Sequence, residues 1–585
     1  MKYFLSICLA SILWSCQQEA PAPTSAQRAL YTLFEQEWAF RMQEFPVYAT
    51  SCGNNQYNDK LTNLSESSIR RRVEFWNSIL IELARIDPDR LSAEDRVSYE
   101  MFKYLLRNDV AQIEFKAHLI PLNAEGGFYT DFTFLPDEMP FNNEEDYHNY
   151  LARLEAFPLY ADQQLDLMQQ GIEAGIVAPK VILEGFEGFI DPHLVDRAES
   201  SVFYTPFQHW PEQISDSKRQ KLSKQAQQVI LQKVVPTYQR IKAFIAEKYL
   251  PAARESIGIS NIPRGKEYYE QQVRFFTTLP YSSDEIFDIG QKEVARIRSE
   301  MQSIIDSVGF SGDFADFLSF LRTDPQFYAP TPEALLKEAS FIAKKIDGRL
   351  PQLFNHLPRL PYGVAPVPDA IAPKYTGGRY VPGSWENHKA GTYWVNTYKL
   401  DSRPLYVLPA LTLHEAVPGH HLQISLAQEM TGLPEFRKHS YLSAFGEGWG
   451  LYAEWLGQEM GIYETPYQEF GRLTYEMWRA CRLVVDVGIH SKGWSRQEAV
   501  DFLASNTALS LHEVNTEIDR YIGWPAQALS YKMGELEIRE LRNRAEKALK
   551  GNFDVREFHD VILTHGCVPL FVLEDLVKNY IRQNN

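Results

Sequence analysis

The amino-acid sequence predicts a mainly α fold, in which one large helical body carries a small strand-bearing insert. Two observations predict this class. Apolar residues recur three and four positions apart along most of the 585 residues, whereas proline and glycine are concentrated in a stretch that begins at about residue 351. An α-solenoid is the alternative, but no segment repeats at the periods of about 34 or 40 residues that are typical of helical repeats.

Amphipathic helices are predicted from residue 27 to about residue 350. Several of their starts carry a capping residue followed by acidic side chains in the first turn, as at Ser92 and Asn142. Another start is marked by Thr331, which a proline and a glutamate follow. These signals divide the first part of the chain into separate helices.

The stretch 351–384 is rich in proline and glycine, so continuous helix is not expected there. The next segment, GTYWVNTYKL, is β-branched and aromatic, which indicates a strand. We expect this strand to offer an edge to an extended peptide, lined by Tyr393 and Asn396, with an ordinary short strand as an equal alternative. Helices resume at residue 411 and continue almost to the end.

The first residues have the features of a bacterial lipoprotein signal. Lys2 precedes a short apolar run, and Ser15 and Cys16 follow it. The prediction is that residues 1–16 form a signal peptide and that Cys16 becomes the lipidated first residue; an ordinary signal peptide is the alternative. The protein would then be exported and lipid-anchored in the bacterial cell envelope, in the periplasm or at the outer membrane, with the lipid as its membrane contact.

The polar, proline-rich residues 17–26 are predicted to be a tether, and residues 27–585 a single large domain. A hydrophobic content of 44% suits such a packed body. The net charge of −17 argues against nucleic acid as a partner, because phosphates need a basic surface. Once the signal is removed, Cys52, Cys481 and Cys567 remain besides Cys16, and their odd number and wide spacing predict no disulfide framework.

The segment LTLHEAVPGHHLQ contains three of the fourteen histidines. Zinc hydrolases often carry two histidines four residues apart on one helix, with a glutamate after the first. Here Pro418 lies four residues after His414, so the helix must be distorted at this point. A bulge would bring His420 into the second ligand position. His421 stays open as the alternative, since it faces the same way as His414 but about 10 Å further along.

A third ligand is predicted in SAFGEGWGLYAEW, where Glu447 and Glu454 fall on one helix face. A buried glutamate is costly unless a partner compensates its charge. The sequence therefore predicts a zinc site formed by His414, His420 or His421, and Glu447, although cobalt or manganese would also suit these ligands. The alternative is that Glu447 pairs with an arginine and that the histidines are core residues.

The motifs HEAVPGHHLQ and FGEGWGLYAE resemble the bacterial family catalogued as domain of unknown function eight-eight-five. That family is similar to the gluzincin metallopeptidases, in which two histidines and a distant glutamate hold zinc. The second motif also resembles the Asn-Glu-Gly-Phe-Ala segment of the aminopeptidase branch, which places Glu447 at the ligand position. The resemblance covers residues 27–580 and implies a gluzincin-peptidase-like fold with a deep cleft.

Two further roles follow from this chemistry. Glu415, adjacent to a ligand, is placed to act as the general base. The tetrahedral oxyanion needs a donor, and the resemblance points to Tyr531, with Lys532 and His490 as other candidates.

The expected function is a zinc-dependent hydrolase of amide bonds, most consistent with a peptidase acting on exported or periplasmic peptides. One alternative is an exported metal-dependent amidase with a small, non-peptide amide as its substrate. Another is a lipid-tethered binding protein without catalysis, in which some of the 11 tryptophans would stack on sugars. The sequence leaves the oligomeric state open.

Overall fold

The computed structural model describes residues 24–369, 371–385 and 388–585. The fold is 70% helix and 4% strand, which confirms the mainly α class. The deep gluzincin-like cleft stays a prediction. The signal peptide, Cys16 and residues 17–23 of the tether lie outside the described residues. The first helix begins at Ser25, two residues before the predicted start of the domain.

Fifteen helices precede the insert in the described part of the chain. They are α1 (Ser25–Glu44), α2 (Pro46–Ser51), α3 (Glu66–Leu83), α4 (Ala93–Glu114), α5 (Phe128–Asp131), α6 (Leu135–Glu138), α7 (Glu144–Ala174), α8 (Glu187–Ile190), α9 (Asp216–Val229), α10 (Val235–Phe244), α11 (Leu250–Ala252), α12 (Gly265–Thr277), α13 (Ser283–Ser307), α14 (Phe314–Thr323) and α15 (Pro332–Asp347). Two π-helical turns, Ile230–Val234 and Ile245–Tyr249, join α9, α10 and α11 into one continuous rod.

The capping predictions hold at two of three positions. The side chain of Ser92 accepts the N–H of Asp95 at the start of α4, and that of Thr331 accepts the N–H of Ala334 at the start of α15. The cap of α7 is Asn143 rather than the predicted Asn142. The reason is a reciprocal capping box, which pairs Asn143 with the acid three residues later and so sets the start of the helix one residue further on.

The insert is a three-stranded sheet. A separate pair, β1 (Leu122–Asn123) and β2 (Gly126–Gly127), forms a small hairpin, and the sheet itself consists of β3 (Tyr362–Pro366), β4 (Gly378–Val381) and β5 (Gly391–Val395). The strand order is β3-β5-β4, with β5 parallel to β3 and antiparallel to β4. The predicted strand in GTYWVNTYKL is thus confirmed as β5.

The prediction that β5 offers a peptide-binding edge is wrong. Because β5 is the middle strand, its backbone groups are already paired on both sides. Tyr393 is fully buried, with its hydroxyl 3.3 Å from that of Thr412. Asn396 is also fully buried, and its side-chain amide donates to three backbone carbonyls of the loop before β4. Both residues hold the insert together instead of lining an open edge.

Ten helices follow the insert in the described residues. They are α16 (Leu408–Glu415), α17 (His420–Gln428), α18 (Glu435–Lys438), α19 (Ser443–Glu459), α20 (Pro466–His490), α21 (Arg496–Asn506), α22 (Leu511–Gly523), α23 (Ser530–Leu549), α24 (Val555–Leu563) and α25 (Leu570–Asn584). Among the described residues, none of the helices is long and apolar enough to cross a membrane.

The helices that carry the sequence motifs pack in the centre of the molecule. α20 is buried along nearly its whole length. α19 and α23 pack very closely at Gly448 and Gly534. A Cβ atom on Gly534 would lie 2.0 Å from the carbonyl oxygen of Ala444, so this contact requires glycine. Cys52, Cys481 and Cys567 are free thiols, as expected from their number and spacing.

Candidate metal centre

The helix predicted around the histidine cluster is broken in two. α16 ends at Glu415, the backbone leaves the helical region at Ala416 and Gly419, and α17 begins at His420. The Val417–Pro418 peptide bond in this break is cis. The expected bulge within one continuous helix is therefore wrong. Proline has no N–H to donate to the preceding turn and crowds its carbonyl, so the chain stops one helix and starts another.

The break is fixed by close packing. The indole N–H of Trp449 on α19 donates to the carbonyl of Pro418 over 2.8 Å. A Cβ atom on Gly419 would lie 1.9 Å from the carbonyl oxygen of His414, so the close approach of the two helix ends requires glycine. As a result, the first residue of α17 is brought back beside the last turn of α16.

Three of the predicted ligands converge. Nε2 of His414 lies 3.4 Å and Nε2 of His420 lies 3.5 Å from Oε2 of Glu447. The three potential ligand atoms all lie within 4.8 Å of one another. Ligands bound tetrahedrally to zinc at about 2.0–2.1 Å are separated by about 3.3 Å, so the spacing fits such an ion.

His421 does not join this cluster. Its Nδ1 lies 2.9 Å from the hydroxyl of Tyr380 and 3.3 Å from that of Ser425. Burial lowers the pKa of His421 to about 4, which favours the neutral ring in this hydrogen-bonded position. Successive residues of a helix point about 100° apart, and α17 starts at His420, so the two histidines face different ways.

Glu454 supports His414 from behind. Its Oε1 lies 2.8 Å from Nδ1 of His414, and the carboxylate is almost fully buried on α19, two helical turns after Glu447. A carboxylate on the second ring nitrogen orients a metal-binding histidine and raises its basicity. The sequence places Glu447 and Glu454 on one helix face. That spacing alone does not show that Glu454 contacts His414.

The carboxylates around His414 favour a positive charge at the centre of the cluster. Burial lowers the pKa of His414, but its contacts with Glu447 and Glu454 outweigh that effect and raise the pKa to about 10. Burial raises the pKa of Glu447, yet the two histidines hold it well below its usual value. In the described part of the chain Glu447 contacts these histidines and Tyr441 rather than the arginine that the alternative interpretation required. The donor set therefore fits zinc.

The cluster is mostly buried. The side chains of His420 and Glu447 keep 11% and 16% of their surface exposed, and that of His414 keeps 4%. Glu415 ends α16 beside them, and its Oε2 accepts the backbone N–H of Tyr380 on β4 over 2.8 Å. The edge strand next to the cluster is thus β4, not β5.

Two tyrosines lie near the Glu447 carboxylate. The hydroxyl of Tyr441, which the sequence reasoning missed, donates to Oε1 of Glu447 over 3.3 Å. Tyr531 is half-buried at the start of α23, with the guanidinium carbon of Arg482 4.3 Å from its ring centre. Burial and then the negative charge of Glu447 raise the pKa of Tyr531. No motif marks Tyr441, which lies just before α19.

The two other candidates for an oxyanion donor are engaged elsewhere. Lys532 is fully buried and forms ion pairs of 2.7 Å with both Glu476 and Glu535. Nδ1 of His490 accepts the N–H of Ile259, and its Nε2 lies 3.0 Å from the carbonyl oxygen of Tyr521. Both side chains are thus already paired with groups outside the metal cluster.

Comparison with known proteins identifies the fold and the family. No curated protein matches the chain. The crystal structure of a putative lipoprotein from Colwellia psychrerythraea aligns with a TM-score of 0.90 and 28% identity, over 96% of this chain and 100% of that one. A putative lipoprotein of unknown function from Shewanella oneidensis aligns with a TM-score of 0.73 and 18% identity, over 95% of this chain and 100% of that one, which shows a shared fold. The family model DUF885, described as bacterial protein of unknown function, matches residues 46–577, and the chain belongs to this family.

Proposed function

We propose that this protein is a zinc-dependent hydrolase of amide bonds, and specifically a peptidase acting on exported peptides. The observation that carries the proposal is the convergence of His414, His420 and Glu447 beside the carboxylate of Glu415. Two histidines and a carboxylate would supply three protein ligands, the number that catalytic zinc sites use. The resemblance of the FGEGWGLYAE motif to the zinc-binding segment of gluzincin aminopeptidases supports the same conclusion.

When bound, zinc acts as a Lewis acid that polarises an amide carbonyl and makes a water molecule acidic near neutral pH. Glu415 then serves as the base. The N–H of Tyr380 holds its Oε2, while Oε1 accepts the proton of the attacking water and passes it to the leaving amine. Because Glu415 follows His414 on a helix, its side chain points about 100° away, and it is not among the three residues whose ligand atoms converge.

The phenol of Tyr531 is the proposed donor to the oxyanion of the tetrahedral intermediate. Burial and the charge of Glu447 both keep this phenol protonated, since they raise its pKa. A protonated hydroxyl can donate to a developing negative charge, as an oxyanion donor must. Tyr441 has a different role, because its hydroxyl already donates to Oε1 of Glu447 and so orients that carboxylate.

A single preparation tests the proposal. Protein purified without chelator should contain about one zinc per chain and should cleave members of a peptide library, as read by mass spectrometry. Glu415→Gln should retain zinc and lose cleavage, whereas the matched control Glu435→Gln, on α18, should keep both. Absence of any transition metal after reconstitution with zinc would refute the metal centre and favour a binding protein. Zinc without cleavage of any peptide would favour an amidase.

We also propose that the protein is lipid-anchored in the bacterial cell envelope through Cys16. The apolar run that ends at this cysteine supports the anchor, and two proteins of the same fold are named putative lipoproteins. Mass spectrometry of the mature N-terminus should find a lipidated Cys16. Cys16→Ser should leave the membrane fraction, and an unmodified cysteine in the membrane-bound protein would contradict the proposal.

A further inference from the structure

Two arginines of α20 have buried N–H groups without a partner. Arg479 and Arg482 are three residues apart and 7% and 3% exposed, so both guanidinium groups are held inside the molecule on one helix face. Among the described residues nothing accepts a hydrogen bond from Nε of Arg479 or from Nη1 of Arg482. A buried charged donor that lacks an acceptor is costly, so these two N–H groups are available to bind an anionic ligand.

These arginines adjoin the metal cluster. Oε1 of Glu454 lies 2.8 Å from Nδ1 of His414 and 3.9 Å from Nη2 of Arg479, so a single carboxylate connects the two groups. Arg482 covers the ring of Tyr531, the proposed oxyanion donor, at 4.3 Å. An anion held at Arg482 would therefore lie close to Tyr531, the proposed oxyanion donor.

The acids near these arginines do not neutralise them fully. Glu517 accepts hydrogen bonds from Arg482 over 3.1 Å and from Arg520 over 3.0 Å, so two guanidinium groups share one carboxylate. Arg403 has a buried Nε without a partner among the described residues, as Arg479 has. Its charge and that of Arg479 act on Glu513, which forms no ion pair within 4.0 Å in the described chain. Four arginines (Arg403, Arg479, Arg482 and Arg520) thus share three glutamates (Glu454, Glu513 and Glu517).

We propose that Arg479 and Arg482 bind the terminal carboxylate of a peptide, so that the enzyme removes residues from the carboxyl end of its substrate. This inference rests on the proposed peptidase function. A carboxylate supplies the planar pair of acceptors that a guanidinium group recognises.

Two peptides of one sequence test the inference on the unmodified, zinc-loaded protein. One carries a free terminal carboxylate and the other a carboxamide, and both are acetylated at the amino end. Loss of one partner of a buried, hydrogen-bonded charge pair should lower kcat/KM by at least about 30-fold for the amide. Equal rates, or faster cleavage of the amide, would overturn the inference while leaving the peptidase intact. The sequence is taken from a peptide that the library digest shows to be cleaved, so cleavage of neither acetylated peptide would mean that a free amino end is required and would also overturn the inference.

Variants assign the effect to the arginine. Arg482→Gln should raise KM for the free acid and bring the ratio of acid to amide cleavage close to one, whereas Arg482→Lys should restore part of that ratio. The matched control is Arg539→Gln on α23, which removes a partly exposed arginine that covers the ring of Trp455 on α19. A ratio unchanged in Arg482→Gln would refute the assignment. If that variant does not fold, the peptide pair still decides the inference.

Discussion

Gly450 determines whether the imidazole of His414 can occupy its position in the metal centre. A Cβ atom at this position would lie 2.6–2.9 Å from three atoms of the His414 ring, whereas ordinary contacts of a Cβ atom begin at 3.4 Å. In Gly450→Ala the ring must therefore move by about 0.5 Å or more. Glu454 holds Nδ1 of the same ring, and His414 is buried, so the ring cannot rotate away freely.

A shift of that size exceeds the tolerance of a zinc site, in which ligand distances are kept within about 0.2 Å. We expect Gly450→Ala to lower zinc affinity by at least about tenfold, the order found when the support of a ligand is disturbed. Overpacking should also cost about 1–3 kcal/mol of stability. Competition with a fluorescent chelator measures the affinity, and thermal unfolding of the zinc-free protein measures the stability.

Gly457→Ala is the matched control on the same helix. Its Cβ atom would lie 2.4 Å from Leu413 and 2.7 Å from Tyr463, so it overpacks α19 without contacting a ligand. The control should lose stability but keep its zinc affinity. A folded Gly450→Ala protein that binds zinc as tightly as the parent would refute the reasoning, because the ring would then have room that the structure does not show.

Three further results are expected. Glu415→Gln should reduce turnover by two to four powers of ten with zinc content unchanged, and near-normal turnover would contradict its role as base. His420→Ala should lose zinc and His421→Ala should retain it, as measured by elemental analysis; the reverse result would mean that α17 is misplaced. Chelation should lower the melting temperature, and zinc at about 100 times its Kd should restore about 2.7 kcal/mol of stability. Glu447→Gln should show little of this response, and a full response would exclude Glu447 as a ligand.

Local sequence patterns accounted for much of the fold. The helical periodicity, the capping residues Ser92 and Thr331 and the aromatic strand before α16 all correspond to elements of the structure. These features depend on residues a few positions apart, whose contacts are set by the geometry of one helix or strand. Asn142 and Asn143 are both suitable capping residues, and the predicted start of α7 was wrong by one residue.

Contacts between distant segments had to come from the tertiary structure. GTYWVNTYKL has the composition of a strand, but only the pairing with β3 and β4 makes it the middle one and buries Tyr393. Tyr441, Arg479 and Arg482 belong to no motif, and their relation to the metal centre depends on how α19, α20 and α23 cross. For the arginines the sequence offered only their spacing of three residues, which other charged residues of the same helix, such as Arg472 and Glu476, do not set apart.

The sequence by itself determined the residues from which the candidate metal centre is built. His414, His420 and Glu447 are marked by a histidine-rich segment and by an acid between two glycines of an apolar helix, and such residues are costly to bury without a partner. The choice of His420 over His421 was decided by the tertiary structure. Trp449, on another helix, holds the break at Pro418 and thereby sets where α17 begins, and that start directs one imidazole to Glu447 and the other to Tyr380.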